Sequence, residues 1–347
     1  MHIFCRTFAI VVFMLPAVTL LAEESKTPDL LFQDVEILEV TLTAPLTTLV
    51  KERPKENYLP GVFEYAAADG TAVKLDIEIR TRGHFRHNTC DFPPLSLNLK
   101  KSQTDGTLFD KQKKLKLVVH CDDSKLYEQI VLREYLAYRI YNAISNMSFR
   151  VRLLRVTYVD NEERRKEQVR YAYLIEHKNR LAKRYAMKDL KVKRTTVSAI
   201  QPDQLNLTSV FQLLIGNTDF SPIAGPPDSD CCHNYVLFQK DADPLIAIPY
   251  DFDQAGFVDA PYASPGENLR IRTVRQRLYR GRCNNNPHVA ASVDKIKDNR
   301  DAIYALVNEQ DGLEPRVRKT LLSFIDKFFK IIDDPKKVEK QIVKKCL

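Results

Sequence analysis

The chain has 347 residues, 44% hydrophobic and 28% charged, which excludes a chain too short or too polar to bury a core. These are the proportions of an ordinary globular protein, large enough for one domain or for two lobes sharing a cleft. The net charge of +8 favours acidic partners such as phosphates or anionic surfaces, and does not by itself argue for nucleic acid.

Residues 1–22, "MHIFCRTFAIVVFMLPAVTLLA", have a short basic start at Arg6, an apolar run, a proline and the small residue Ala22. This pattern predicts a cleaved secretory signal peptide. The run is too short for a comfortable membrane span, and no later segment is apolar enough to cross a bilayer. The mature chain is therefore expected to lack a transmembrane span and to be secreted or located in the periplasm or envelope. Loss of Arg6 lowers the charge to +7. Loss of Cys5 leaves six cysteines, Cys90, Cys121, Cys231, Cys232, Cys283 and Cys346. An even number in an exported protein favours disulfides, and the spacing lacks a paired CxxC pattern for zinc. Adjacent Cys231 and Cys232 are expected to bond to different partners. Asn146-Met-Ser and Asn206-Leu-Thr are sequons that matter only in a glycosylating secretory route.

After the signal, residues 23–70 read as an N-terminal extension, with strand-like "DVEILEVTL" and a proline-containing linker near "KERPKENYLPG". Residues 71–178 read as a strand-rich part. In "AVKLDIEIR", Val73, Leu75, Ile77 and Ile79 alternate with charged residues, the mark of a half-buried strand. "LSLNLK" and "KKLKLVVH" repeat the pattern. "LYEQIVLREYLAYRIYNAIS" spaces Leu132, Leu136, Ile140 and Ile144 as an amphipathic helix. Two strands follow, "VRLLRVTYV" and "RYAYLIEH". Residues 179–347 read as mainly helical, interrupted by two short strands, "NYVLFQ" and "PLIAIPY", around the turn "KDAD". This order predicts an α+β, two-lobed protein-kinase-like fold: a small antiparallel sheet lobe with one helix, then a helical lobe.

Such a fold places a lysine for the nucleotide phosphates on the third strand and a glutamate to hold it on the next helix. The strand offers Lys114 and Lys116, of which Lys116 sits deeper; the helix offers Glu134. The loop between the first two strands, "RTRGHFRHNTCDFPP", is not glycine-rich. It gathers Arg82 and Arg86, whose guanidinium groups can grip phosphate oxygens bidentately. Beyond the central helices, "IGNTDFS", "HNYVLF" and "IPYDFDQAGF" bring Asp219, Asn234, Asp251 and Asp253 onto successive loops. Asp219 is expected to accept a hydroxyl proton. Asn234, Asp251 and Asp253 offer the hard oxygen ligands that magnesium prefers. A long step, "SPIAGPPDSDCCH", separates Asp219 from Asn234, and an Asx-turn is the structural alternative for Asp219.

"TRGHFRHNTCDFPPLSLNLK", "GNTDFS", "HNYVLF" and "IPYDFDQAG" together resemble the basic stretch and the catalytic and metal-binding loops of the CotH-type spore-coat protein kinases. The resemblance spans roughly residues 72–260. It implies an atypical kinase fold, ATP as donor, a serine-containing protein as acceptor, Asp219 as catalytic aspartate and Asp251 or Asp253 as metal ligand. The chain departs from that family in its signal peptide, cysteines and long insertion.

The segment "RIRTVRQRLYRGR" collects Arg270, Arg272, Arg275, Arg277, Arg280 and Arg282 just after the metal-binding loop. It is expected either to bind an acidic or phosphorylated peptide or to form a solvated basic face. The leading expectation is an exported phosphotransferase using ATP and Mg2+, with Mn2+ able to substitute, acting on a protein or peptide of acidic character. The alternative is a catalytically silent kinase-like binding protein of the envelope or surface. Nucleic acid is not an expected partner, because the basic segments lack interleaved aromatic platforms.

Overall fold

The computed structural model describes residues 27–227, 229–266 and 268–347. The expected signal peptide, residues 1–22, lies outside the described residues.

The first half builds a barrel. Strand β1 (Leu38–Ala44) leads through helix α1 (Leu46–Glu52) to β2 (Leu59–Ala66) and β3 (Ala72–Thr81). Helix α2 (Phe85–Thr89), β4 (Leu95–Leu99), α3 (Lys101–Thr104) and β5 (Lys114–Val118) follow. The long helix α4 (Lys125–Ile144) then precedes β6 (Val151–Asp160) and β7 (Gln168–Ile175). The order around the sheet is β1-β2-β3-β4-β5-β7-β6, closed by a parallel pairing of β6 with β1. The period-2 alternation seen in the sequence sends one face of each strand inward. Leu75, Ile77 and Ile79 of β3, Leu95, Leu97 and Leu99 of β4, and Leu115 and Leu117 of β5 fill the interior with Phe63 and Phe109.

The two-lobed kinase-like expectation is therefore corrected: the strands form a closed, mixed seven-stranded barrel rather than a small antiparallel sheet lobe. Alternation specifies which face of a strand is buried, and it is the same for an open sheet and for a closed one. The closing ladder, Leu38 opposite Leu154 through Ala44 opposite Asp160, joins segments far apart in the chain and leaves no local signature. Strand β2 was hidden by Pro60 and Gly61. Pro60 lies beyond the last β1–β2 pair, Thr43 with Val62, where one side of the strand carries no ladder.

The second half packs outside the barrel. Helix α5 (Lys178–Arg184), the short β8 (Lys188–Asp189) and α6 (Pro202–Ile215) lead to the hairpin β9 (Tyr235–Gln239) and β10 (Ile246–Pro249). β8, β9 and β10 form a small separate sheet. Helices α7 (Val289–Asp298), α8 (Arg300–Asn308), α9 (Pro315–Ile332) and α10 (Pro335–Gln341) complete the chain. Helix α4 is the keystone between the halves. Its Tyr135 and Tyr138 meet Tyr173 of β7 with ring centroids 6.0 and 5.8 Å apart. Its Tyr138 and Tyr141 meet Phe252 and Phe211 at 4.6 Å. Thirteen of its twenty residues are buried, including Arg133 and Glu134, so one face packs on the barrel and another on the helices.

Among the described residues three disulfides form, Cys90–Cys121, Cys231–Cys232 and Cys283–Cys346. Cys231 and Cys232 bond to each other, which corrects the expectation of separate partners. Asn206 is fully buried in α6, where its amide donates to the Tyr279 hydroxyl and the Asn285 carbonyl. That sequon is therefore a core asparagine. Among the described residues, no helix is long and apolar enough to cross a membrane.

Candidate active site

The β9–β10 hairpin explains how Asn234 and Asp251 meet. Tyr235 pairs with Pro249, so Asn234 and Tyr250 stand opposite each other at one end of the ladder. The Tyr250 amide donates to the Asn234 carbonyl at 3.0 Å. Asn234 and Asp251 both adopt left-handed backbone, with φ of 54° and 62°. Asn and Asp enter that region more readily than other residues bearing a Cβ. The Asp251 amide donates to the Tyr138 hydroxyl of α4 at 2.8 Å, fixing the loop to the keystone helix.

The same loop is tied to the end of α6. Gly256 and Phe257 donate to the carbonyls of Gly216 and Ile215 at 3.1 and 2.9 Å. Gly216 ends α6 in left-handed backbone, φ 64°, and a Cβ there would meet the Phe324 ring at 2.9 Å. From this end the chain runs directly into Asn217-Thr218-Asp219. The Asp219 amide closes an Asx-turn by donating to Asn217 Oδ1 at 2.9 Å. Ser221 then bridges His233 antiparallel, which closes the intervening loop and returns Asn234 to Asp219.

Both oxygens of the Asp219 carboxylate are held. His233 Nε2 is 2.7 Å from Oδ1, and Asn234 Nδ2 donates to Oδ2 at 3.0 Å and to the Asp219 carbonyl at 2.7 Å. The hydrogen bond to Asp219 raises the His233 pKa against the opposing effect of partial burial. His233 was not singled out from the sequence, although it directly precedes Asn234. Its role depends on a contact across the insertion that spacing alone does not reveal.

The opposite wall comes from the barrel and α4. Arg86 lies 3.2 Å from Glu134 Oε2 and 3.4 Å from Asp253 Oδ2. Burial opposes the Arg86 charge, but Glu134 and the neighbouring carboxylates outweigh it and hold its pKa above the usual arginine value. Burial pushes Glu134 up, partly offset by Arg86. Asp253 is pushed up to about 8, first by burial and then by repulsion from Asp251. Glu134 thus pairs with Arg86, which corrects the expected pairing with Lys116. The reason is direction along the strand: Lys116 points from β5 into the crevice and places its ammonium over the Tyr250 ring, 4.9 Å from the centroid.

Lys116 is walled by protein but remains open to the crevice, and among the described residues it makes no ion pair. Its pKa falls to about 8, through burial and then the nearby charge of Arg82. Arg82 donates through Nε to the Leu95 carbonyl at 3.0 Å, and burial and Arg86 lower its pKa while Asp251 opposes them. Lys114 is exposed on the same strand, two residues before Lys116. Beside Lys116 lies a cavity of about 210 Å³ lined by Phe149, Ile175, His177, Val236 and Tyr250 among others.

The donor chemistry suits a hard divalent cation. Half-buried Asp251 makes no side-chain hydrogen bond or ion pair among the described residues. Asp253 stands two residues away, and Asn234 uses its amide nitrogen on Asp219, leaving the amide oxygen to accept. Among the described residues, no cluster of three or more His, Cys, Asp or Glu side chains forms a ready-made metal cage. Magnesium characteristically takes one or two carboxylates and completes its shell with phosphate and water.

The arginine segment is not a uniform basic face. Arg277 donates to the carbonyls of Leu213, Leu214 and Phe324 at 3.0, 3.1 and 2.6 Å and lies over the Phe324 ring. Arg280 donates to the carbonyls of Thr218 and Phe220. Arg275 pairs with Asp259 at 3.0 Å. Arg270 and Arg272 are the exposed members without such contacts among the described residues. Reversing the charge of Arg277 would thus break internal packing rather than probe a peptide.

No protein-family model matches the chain, and no curated protein matches it.

Proposed function

We propose that the chain is an exported phosphotransferase that moves the terminal phosphoryl group of ATP to a protein hydroxyl, the chemistry implied by its resemblance to the CotH-type kinases. The observation that carries this reading is the meeting, at one crevice, of two opposed sets of side chains. Lys116 and Arg82 supply positive charge from the barrel; Asp219, Asn234, Asp251 and Asp253 supply oxygen ligands from the other half. The closed barrel removes the fold-level support for this reading, which therefore rests on the site alone.

In this reading the cavity beside Lys116 takes the nucleotide base, between Phe149, Ile175 and Val236. Lys116 and Arg82 face the phosphates. Asp251 and Asp253, with Asn234, hold Mg2+ or Mn2+, which neutralises phosphate charge when bound. Asp219 orients the acceptor hydroxyl and takes its proton as the oxygen bonds to phosphorus and ADP departs. His233 and Asn234 keep its carboxylate in one orientation. Catalysis then rests on positioning and charge neutralisation rather than on covalent work by the protein. The three disulfides favour an oxidising compartment, in keeping with export.

One observation favours the alternative, a silent binding protein: Asp253 is engaged by Arg86, so a cation must compete with an existing ion pair. Calorimetric titration of the mature protein with ATP, with and without Mg2+, separates the two readings. Magnesium-dependent binding that is lost in Lys116→Met and Asp253→Ala is expected. Absence of nucleotide binding by the folded wild type would remove the phosphotransferase reading in favour of the binding protein.

A further inference from the structure

The arginine-rich segment 270–282 packs against the end of α6. Arg277 reaches the carbonyls of Leu213 and Leu214, in the last turn of that helix. The Leu213 carbonyl also accepts from the Gly216 amide at 3.2 Å, and carbonyls in this turn carry the negative end of the helix dipole, so a guanidinium is well matched to them. Three residues on, Arg280 reaches across to the loop that follows. A single nitrogen, Nη1, donates to the carbonyls of Thr218 and of Phe220, the second at 3.1 Å. These residues stand on either side of Asp219. The guanidinium also lies over the Phe220 ring, 5.1 Å from its centroid.

We propose that Arg280 is a positioning residue for Asp219: it holds the main chain on both sides of that aspartate and thereby sets the carboxylate's place in the crevice. The carboxylate itself is gripped from the other side by His233 and Asn234, so the loop is fixed at its backbone by one element and at its side chain by another. With Arg280 removed, the 217–221 turn can shift while the hairpin and its Asn234 stay in place. Arg280 acts through Asp219, not on the nucleotide, so its loss should affect transfer and leave nucleotide binding alone. The catalytic half of this inference rests on the phosphotransferase reading; the backbone half does not.

The test uses the full mature chain as wild type, Arg280→Ala and Arg280→Lys. Hydrogen exchange over residues 217–221 is expected to quicken about tenfold in Arg280→Ala, with the α6 core unchanged. Magnesium–ATP affinity should stay within about twofold, while turnover falls roughly 10- to 100-fold at unchanged KM for ATP. Arg280→Lys, which can satisfy one carbonyl at a time, should recover part of the turnover. Unchanged exchange at 217–221 would overturn the proposal. So would a loss of ATP affinity in step with turnover, or a rise in exchange throughout the molecule. If the wild type neither binds nor turns over ATP, the functional reading fails, and the local exchange of Arg280→Ala still decides whether the arginine holds this loop.

Discussion

The barrel interior and the crevice beside it are built by opposite rules. Inside the barrel, apolar side chains from all seven strands meet one another; Phe63 and Phe109 sit edge to face at 5.3 Å. In the crevice, Arg82, Arg86, Glu134, Asp219, Asp251 and Asp253 bring charges of both signs together at partial or full burial, with the more open Lys116 beside them. Asn234 and Asp251 there adopt left-handed backbone. Burying charge costs stability unless partners compensate, and unusual backbone persists only where the surroundings impose it. The barrel thus contributes the stability that the crevice spends. If that division is right, substitutions in the two regions should separate stability from ligand binding.

The largest stability loss should come from the barrel. Phe63→Ala removes a ring with no exposure to solvent and leaves a cavity against Phe109. The expected cost is about 3–5 kcal/mol, measured by denaturant unfolding, while ligand affinity at a temperature where the variant stays folded is unaltered. A loss below about 1 kcal/mol would mean that the interior is not the principal source of stability.

A smaller effect is expected from His120, at the mouth of the barrel just beyond β5. Its ring is fully buried, stacked on Phe92 at 4.8 Å and near Tyr158. Asp123, 3.5 Å away, and Arg170 and Arg165 are the charged groups that face it. Burial dominates and lowers its pKa to about 4. The unfolded chain takes up this proton near 6.5 and the folded protein resists it until about pH 4, so the unfolded state binds more protons in between. Stability should therefore fall as pH drops from 6.5 toward 4, by up to about 3 kcal/mol from this group. Relative to wild type, His120→Gln should show a flatter stability profile over that window. Identical slopes would assign the acid sensitivity to other groups.

How much of this was legible in the sequence differs between the two regions. β3, β4, β5, α4, β6, β7 and the β9–β10 hairpin were each readable, because alternation and helical spacing are local properties of a chain. Barrel closure was not, because the β1–β6 ladder depends on residues such as Val40 and Val156 meeting from distant parts of the chain. In the crevice, the loop positions of Asp219, Asn234 and Asp251 were readable, and the hairpin register explains why two of them meet. The partner of Glu134 was not: Arg86 reaches it from α2, off the strands, while Lys116 lies over Tyr250, and strand order specifies neither contact. The arginine run misled for a related reason. Charge density reads as solvent exposure, yet Arg277 and Arg280 spend their donors on main-chain carbonyls.

The smallest stability effect, and the clearest test of the division, is expected at Asp251. Asparagine is nearly isosteric and also accepts left-handed backbone, so Asp251→Asn should keep the φ of 62° and the amide bond to the Tyr138 hydroxyl. The carboxylate it removes has no hydrogen bond or ion pair among the described residues to lose. What disappears is repulsion on Asp253, whose carboxyl Asp251 helps to push up to about 8, together with attraction to Arg82, Arg86, Lys116 and His233. These effects oppose one another, so folding stability should change by less than about 1 kcal/mol. On the proposed phosphotransferase reading, magnesium-dependent ATP affinity should fall at least about tenfold, since a neutral ligand replaces a carboxylate proposed to hold the cation. Paired unfolding and calorimetric titrations give both quantities on one sample. A variant that loses several kcal/mol of stability while keeping its nucleotide affinity would show that Asp251 belongs to the framework, and the line between barrel and crevice would have to be redrawn on the other side of the hairpin.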